Sequence, residues 1–204
     1  MTDFDWDDGL FPTRIETERL VLERVDDATE ALDFYRAFSK EADAERVFEH
    51  VSPTLVATPN RARDLLQFFA ESQREGTAVA YVLRPKPGQA GAGRFAGFVS
   101  FRPLWDQRLA EIGVMLGTDF WGRGYSEERA VALLELAFES FDCEHVRVTT
   151  RVDNEPSQCA IGKYLARFDG QRDALDRNED VDSTGAYDVY CYSISRAGYE
   201  SADE

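Results

Sequence analysis

Residues 109–126 read LAEIGVMLGTDFWGRGYS, and this stretch decides the fold class of the chain. Its first eight residues have an alternating pattern, which predicts a strand. Gly122 and Gly124 then bracket Arg123, and a long amphipathic helix is predicted over 126–141. A glycine turn at a helix start leaves backbone N–H groups unpaired, which favours an anion such as phosphate. A tight turn without a ligand gives the same spacing, so this motif alone leaves both interpretations open.

Two common phosphate-binding loops are excluded at this turn. No Lys-Ser or Lys-Thr follows the glycines, as a P-loop requires. Glu127 stands where a dinucleotide-binding fingerprint needs its third glycine. We expect Arg123 and Arg129 to help neutralise an anion that binds here.

The rest of the chain predicts an α+β (mixed α/β) fold around one largely antiparallel, twisted sheet. Alternating apolar residues predict strands over 19–25, 77–84, 94–102, 109–116, 145–151 and 187–195. Helical spacing predicts helices over 26–46, 60–75, 126–141 and 155–166. We therefore expect about six or seven strands and about four helices. They form a single domain over 14–197, between an irregular acidic leader (1–13) and an acidic tail (198–204), with a polar loop at 176–185.

The composition indicates a globular and strongly acidic protein. Of 204 residues, 43% are apolar, 39 are acidic and 23 are basic, which gives a net charge of −16. Such a charge repels nucleic acids and anionic membranes, so we predict neither as a partner. The basic residues are 20 Arg and 3 Lys. A GC-rich genome would explain this bias, but the acids are spread across the chain and not gathered in a tail, which favours a halophilic, acidic proteome.

Cysteine and histidine usage predicts neither a disulfide scaffold nor a metal site. Cys143, Cys159 and Cys191 are far apart, and none has the basic surroundings of a thiol nucleophile. His50 and His145 are distant from each other and belong to no HExxH motif. The N-terminus lacks the features of a signal peptide, and no apolar run is long enough to span a membrane. We therefore expect a cytoplasmic protein.

The motif WGRGYS (121–126) resembles the acyl-CoA pyrophosphate loop, Q/R-x-x-G-x-G/A, of the GNAT N-acetyltransferase superfamily. Its aromatic-Gly-basic-Gly-Tyr form is similar to the RimJ/RimL, or ribosomal-protein N-acetyltransferase, branch. Other stretches resemble that branch in the same order, and the resemblance covers roughly residues 14–195. They are TERLVLERV (17–25), AEIGVML (110–116), NEPSQCAIGKYLARFDG (154–170) and GAYDVYCYSI (185–194).

The resemblance implies that acetyl-CoA is the co-substrate and that two central strands splay apart near Gly113 to receive it. The cofactor-binding residues that it implies are Val114, Met115, Leu116, Trp121, Gly122, Arg123, Gly124, Tyr125, Ser126, Asn154 and Ser157.

The resemblance also implies two catalytic residues. Glu111 would take a proton from the acceptor ammonium, because apolar neighbours on its strand favour a proton on the carboxylate. Ser157 would protonate the leaving thiolate, while Asn154 binds the amide arm of the cofactor. The alternatives are a solvated Glu111 with water as the base, simple helix capping by Asn154 and Ser157, and Tyr164 as the acid.

These residues imply an N-acetyltransferase that moves acetyl from acetyl-CoA to a primary amine by direct attack in a ternary complex. The first expected acceptor is a protein N-terminal α-amine, and the second is a small molecule such as an antibiotic, polyamine or amino acid. A non-catalytic acyl-CoA-binding regulatory module on the same fold is a further alternative. We expect a monomer or homodimer.

Overall fold

The structure of the chain, a computed structural model, describes residues 2–25, 29, 31–39, 44–50, 58–182 and 185–202. The chain divides into two compact units. Unit 1 comprises Met1–Arg102 and Val114–Tyr125, and unit 2 comprises Pro103–Gly113 and Ser126–Glu204. The sequence predicts one domain over 14–197, and the boundaries between the units fall within that range.

The described residues form nine strands with mostly antiparallel pairing. They are β1 (Asp3–Asp5), β2 (Arg14–Glu16), β3 (Leu20–Arg24), β4 (Val79–Pro85), β5 (Gly97–Leu104), β6 (Leu109–Leu116), β7 (His145–Arg151), β8 (Gln171–Asp182) and β9 (Gly185–Ser195). The strand order in the sheet is β1-β2-β3-β4-β5-β6-β7-β9-β8. The predicted α+β fold with a largely antiparallel sheet is confirmed.

The predicted number of strands was too low, because β1, β2 and β8 lack a strand pattern. β1 and β2 have three residues each, which is too short for alternation to be recognised. β1 forms inside the predicted irregular leader and pairs with β2 through Phe4 and Ile15. β8 extends through most of the predicted loop at 176–185, although residues 171–179 are exposed and mostly polar. Pairing with β9, and not local sequence preference, makes this segment a strand.

Unit 1 contains the antiparallel run from β1 to β5 and three helices: α1 (Ala31–Ser39), α2 (Ala44–Val47) and α3 (Pro59–Arg74). The helix predicted over 26–46 corresponds to α1 and α2, and residues 26–28, 30 and 40–43 lie outside the described residues. Aromatic rings hold α1 against the sheet, with Phe34 at 5.3 Å and 5.5 Å from the rings of Phe98 and Phe95.

Unit 2 is built on β7, which pairs in parallel with β6 and antiparallel with β9. Its helices are α4 (Tyr125–Glu135, whose first residue belongs to unit 1), α5 (Glu155–Arg167) and α6 (Arg196–Ser201). The helix predicted over 126–141 is α4 followed by a π-helical turn over Leu136–Ser140, and its apolar stripe is buried. α6 includes the first residues of the predicted tail. None of the helices in the described ranges combines the length and the apolar character of a membrane span.

Candidate active site

The segment between β6 and α4, residues 117–124, is called the glycine loop below. Gly122 and Gly124 have φ angles of +72° and +79°, which lie in the left-handed region that side chains disfavour. A Cβ atom at Gly122 would meet no atom within 4 Å, whereas one at Gly124 would lie 3.2 Å from Nη2 of Arg19. The loop therefore needs both glycines for its backbone conformation, and Gly124 also for close packing.

Arginines from distant parts of unit 1 hold the glycine loop. Arg19 Nη1 donates a hydrogen bond of 2.9 Å to the carbonyl oxygen of Arg123, and the Arg19 guanidinium lies 5.3 Å from the centre of the Tyr125 ring. Arg123 Nη1 donates to the carbonyl oxygen of Ala90 at 2.8 Å. The Arg46 guanidinium lies 5.2 Å from the Trp121 ring. The loop thus carries a local cluster of positive charge, and Arg19 and Arg46 are members that the sequence analysis missed.

Trp121 ties the loop back to the strand that precedes it. Its indole Nε1 donates a hydrogen bond of 2.8 Å to the carbonyl oxygen of Leu116, and the backbone N–H of Trp121 donates to Thr118. Trp121 and Leu116 were both predicted to bind the cofactor, and the structure brings them together. The indole fixes the direction in which the chain leaves β6.

The last four residues of β6, Gly113–Leu116, lose the alternation of buried and exposed positions. Each of them is partly exposed, although Val114, Met115 and Leu116 are apolar. Parallel pairing with β7 runs from Leu109 to Glu111, so it involves the first part of β6. A half-exposed apolar strand end is suited to a ligand that needs both apolar contact and backbone hydrogen bonds.

α4 begins at Tyr125, which is buried, and continues with the half-buried Ser126. Arg129, one turn further, was expected to help neutralise the anion. It is instead only 1% exposed, next to the buried Tyr164. Among the described residues, Nε and Nη1 of Arg129 and the Tyr164 hydroxyl have no hydrogen-bond partner. Burial lowers the pKa of Arg129 and raises that of Tyr164, so this pair is an interior feature of unit 2.

Glu111 lies in unit 2 and forms an ion pair across the parallel strands. Arg147 donates to Glu111 Oε1 through Nε, at 2.9 Å, and also through Nη2. The hydrogen bond to Glu111 is the main reason that the pKa of Arg147 is raised. Apolar neighbours were predicted around Glu111, but Arg147 lies beside it on the neighbouring strand and favours the ionised carboxylate. The role of Glu111 as the base stays a prediction.

Asn154 and Ser157 meet at the start of α5. Asn154 is the N-cap residue, and its side-chain oxygen accepts a hydrogen bond of 3.0 Å from the backbone N–H of Ser157. The capping interpretation is therefore confirmed for Asn154. In the described ranges the half-buried hydroxyl of Ser157 makes no hydrogen bond, so capping leaves it available for other chemistry. The roles of both residues toward a cofactor stay predictions.

Cys143 and Cys191 have environments that disfavour a thiolate. Cys143 and Cys191 are buried and Cys159 is exposed, and all are free thiols. Burial raises the pKa of Cys143, and burial together with a hydrogen bond of 3.0 Å to Asp176 raises the pKa of Cys191 to about 11. These two thiols are protonated at neutral pH and are poor nucleophiles. The described residues contain no group of His, Cys, Asp and Glu arranged to hold a metal ion.

The glycine loop fits the pyrophosphate of acetyl-CoA in two respects. Its glycines leave the backbone before α4 accessible, with open space beside Gly122. Its arginines supply positive charge in a chain whose net charge is −16. The half-exposed Val114–Leu116 fits the amide-containing arm of the same molecule.

Comparison with known proteins gives consistent matches over most of the chain. A family model described as an acetyltransferase (GNAT) domain matches residues 19–164. The chain is 27% identical over 187 residues to the uncharacterized N-acetyltransferase p20 of Bacillus licheniformis, covering 90% of this chain and 96% of p20.

Solved structures share the fold. The microcin C7 self-immunity acetyltransferase MccE, in complex with acetyl-CoA and AMP, aligns with a TM-score of 0.76 at 18% identity, covering 93% of this chain and 99% of that one. RimL, a ribosomal L7/L12 α-N-protein acetyltransferase in complex with coenzyme A, aligns with a TM-score of 0.72 at 20% identity, covering 89% of this chain and 97% of that one.

Proposed function

The chain belongs to the GNAT acetyltransferase family and is an acetyl-CoA-dependent N-acetyltransferase, and from this premise we propose that its acceptor is the α-amine of a protein N-terminus. The observation that carries the proposal is the glycine loop, whose aromatic-Gly-basic-Gly-Tyr sequence is typical of the RimJ/RimL branch. The fold shared with RimL, which acts on a protein α-amine, supports the same acceptor.

The residues around the glycine loop orient the co-substrate. Backbone N–H groups of Gly122–Ser126 bind the pyrophosphate at the start of α4, and Arg123 adds positive charge beside it. Val114–Leu116 bind the arm that carries the thioester, through backbone hydrogen bonds and apolar contact. Acetyl-CoA supplies the activated acetyl group. Catalysis then depends mainly on holding the amine and the thioester carbonyl in contact.

Two proton transfers accompany the reaction. The acceptor arrives as an ammonium ion, and Glu111 takes its proton, directly or through water, so that the nitrogen lone pair is available. The C–N bond forms at the carbonyl carbon as the C–S bond breaks. The hydroxyl of Ser157 donates a proton to the departing sulfur. The ion pair with Arg147 favours the ionised carboxylate, the form that can accept a proton, although it also makes that carboxylate a weaker base.

A second candidate acceptor is a small-molecule amine that carries a nucleotide. The observation that favours it is the fold shared with MccE, which is described in complex with both acetyl-CoA and AMP. In that case the same loop and the same proton transfers serve a different acceptor.

An acceptor screen separates the two candidates. Release of free thiol from acetyl-CoA is measured with peptides that have a free α-amine, and with the same peptides after N-terminal formylation. Small amines, including the 2-aminoethyl ester of adenosine 5′-monophosphate, complete the panel. We expect the unblocked peptides to react fastest and formylation to abolish the reaction.

Transfer to the small amines alone would support the second candidate. CoA binding without thiol release against any amine would contradict both and favour a regulatory acyl-CoA-binding module. The Gly124→Val variant, which should not bind acetyl-CoA, is the control for thiol release that does not depend on the enzyme.

A further inference from the structure

One segment of unit 1 departs from the acidic character of the chain. The sequence has 39 acidic residues among 204, yet none occurs from Gly76 to Arg102, where this part of unit 1 ends. The same segment carries Arg84, Lys86, Arg94 and Arg102. It forms β4, the following loop and β5, so the structure concentrates positive charge at one hairpin.

A cavity of about 420 Å³ lies beside this hairpin, entirely within unit 1. Its lining includes Arg84, Arg94 and Phe95 from the hairpin, together with Arg36 and Asp33 from α1. Three guanidinium groups and one carboxylate give these lining residues a formal charge of +2. Glu23 and Asp119, which lie outside the lining and pair with Arg84 and Arg94, offset these two charges, so the cavity attracts an anion through the guanidinium N–H groups that remain free to donate.

The two hairpin arginines already have partners in the protein, and Arg84 is held more firmly than the 56% exposed Arg94. Arg84 donates from Nε to Glu23 at 2.9 Å and from Nη1 to the carbonyl oxygen of Gly93 at 3.0 Å. Arg94 donates from Nη2 to Asp119 at 2.9 Å, and its guanidinium lies 5.2 Å from the Phe120 ring. These contacts use one or two of the five N–H groups of each guanidinium, so each keeps donors for a ligand.

Arg36, which also lines the cavity, is held only weakly by its contacts. Its side chain is 56% exposed and makes one long hydrogen bond, 3.3 Å, to Asp33, which is 63% exposed. Exposed pairs of this kind are weak, so Arg36 can turn toward a doubly charged anion at little cost. Arg84, held by two hydrogen bonds, and the more exposed Arg36 and Arg94 together match a terminal phosphate, which has two charges and three acceptor oxygens.

We propose that the cavity lined by Arg36, Arg84 and Arg94 binds a phosphate monoester. The phosphate has two possible sources, which are the 3′-phosphate of bound CoA and the phosphate of a separate nucleotide. The first source rests on the proposed function and the second does not. The glycine loop is a neighbour of this cavity through Asp119 and Phe120, the residues that Arg94 contacts, so a ligand here is positioned next to the loop.

The test compares ligand pairs that differ only in one phosphate monoester. Calorimetry at about 0.1 M salt measures CoA against dephospho-CoA, and adenosine 5′-monophosphate against adenosine. We expect at least one phosphorylated member to bind about tenfold tighter or better than its partner. In the Arg36→Gln/Arg94→Gln double variant this preference should fall below about threefold, because two of the three donor groups are lost.

Arg63→Gln is the matched control, since Arg63 is 57% exposed on α3 of the same unit and does not line the cavity. It should keep the full preference. If CoA binds more tightly than dephospho-CoA, the ligand of the cavity is the 3′-phosphate of CoA. If adenosine 5′-monophosphate binds more tightly than adenosine, the ligand is the phosphate of a separate nucleotide. Binding of the monophosphate without binding of CoA would support the cavity and contradict the proposed function.

The proposal is wrong if neither pair discriminates, or if the preference survives in the double variant. It is also wrong if Arg63→Gln reduces the preference equally, because the effect would then be one of overall charge. Thermal unfolding checks that the double variant folds. If it does not, Arg36→Lys/Arg94→Lys replaces it, since lysine keeps the charge and removes the guanidinium fork; a lower preference is again expected.

Discussion

The glycine loop of unit 1 and the residues of unit 2 proposed to transfer protons, Glu111 and Ser157, depend on different features of the structure. The loop is defined by its backbone, with positive φ angles at Gly122 and Gly124 that few other residues adopt. Its function therefore requires particular residue types at neighbouring positions. The side chains that hold it, such as Arg19, are supports for a conformation that the loop sequence already specifies.

Glu111 and Ser157 are defined by what surrounds their side chains. Glu111 has its properties because Arg147, on another strand, donates to the carboxylate. The backbone N–H of Ser157 donates to Asn154, while its hydroxyl has no hydrogen-bond partner among the described residues. A binding loop that depends on its backbone conformation can therefore be located from a short sequence motif. The chemical properties of a side chain depend on contacts that form only in the folded protein.

The strongest test of the loop is Gly124→Val. A β-branched residue at a φ of +79°, with its Cβ 3.2 Å from Arg19, forces the backbone away from its present conformation. Strain of about 3 kcal/mol corresponds to a loss of about 100-fold in CoA affinity, measured by calorimetry. Gly88→Val is the matched control, because Gly88 has a φ of +93°, no atom within 4 Å of its Cβ and a position outside the glycine loop. Normal CoA binding by a folded Gly124→Val protein would contradict the loop assignment.

Glu111→Gln tests whether the Glu111 side chain acts as the base. The amide keeps the shape of the side chain and removes its proton affinity, so we expect kcat to fall by about 100-fold. The acidic limb of the pH–rate profile should shift or disappear as well. Arg147→Gln separates catalysis from structure, because it breaks the same ion pair and leaves a carboxylate in place. Equal losses of kcat and Tm in the two variants would make Glu111 a structural residue.

The sequence predicted most of the framework because its elements have clear periodic patterns. The bounds of β6 and β7 agree with the predicted 109–116 and 145–151, and α5 differs from the prediction by one residue. β8 was predicted as a loop because its residues are polar and exposed, and only pairing with β9 makes it a strand.

The candidate site was predictable where it depends on local sequence and not where it depends on packing. The positive φ angles of Gly122 and Gly124 follow from residue type. By contrast, Arg19 lies about a hundred residues before the loop that it holds, and no spacing indicates the contact. Arg129 is near the loop in sequence, yet the turn of α4 directs it into the interior of unit 2. Position along a helix, and not residue type, decided its environment.

Two residues at the start of α5 differ in the same way: Asn154 stabilises the backbone of the helix, and Ser157 is proposed to act through its side chain. Asn154→Ala removes the helix cap, and we expect the free energy of unfolding to fall by about 1 kcal/mol. Ser157→Ala removes a hydroxyl that makes no hydrogen bond among the described residues, so Tm should not change. If Ser157 protonates the leaving sulfur, its kcat should nevertheless fall about tenfold. A Ser157→Ala variant with full kcat would remove the serine from the mechanism, and thermal unfolding with steady-state kinetics measures both effects.

The smallest expected effect concerns salt, and it sets the charge of the whole chain against that of the loop. The net charge of −16 repels acetyl-CoA, itself a multiply charged anion, while Arg19, Arg46 and Arg123 attract it only at short range. Screening acts over about 10 Å at 0.1 M salt and about 3 Å at 1 M, so added KCl removes the long-range repulsion first. We expect acetyl-CoA affinity to rise about threefold from 0.1 M to 1 M KCl, with Tm rising as well. Potassium acetate at equal ionic strength should act alike if the effect is screening and not chloride binding. A steady loss of affinity in calorimetry over this range would mean that the local arginines dominate, and would contradict the salt-adapted interpretation of the acidic composition.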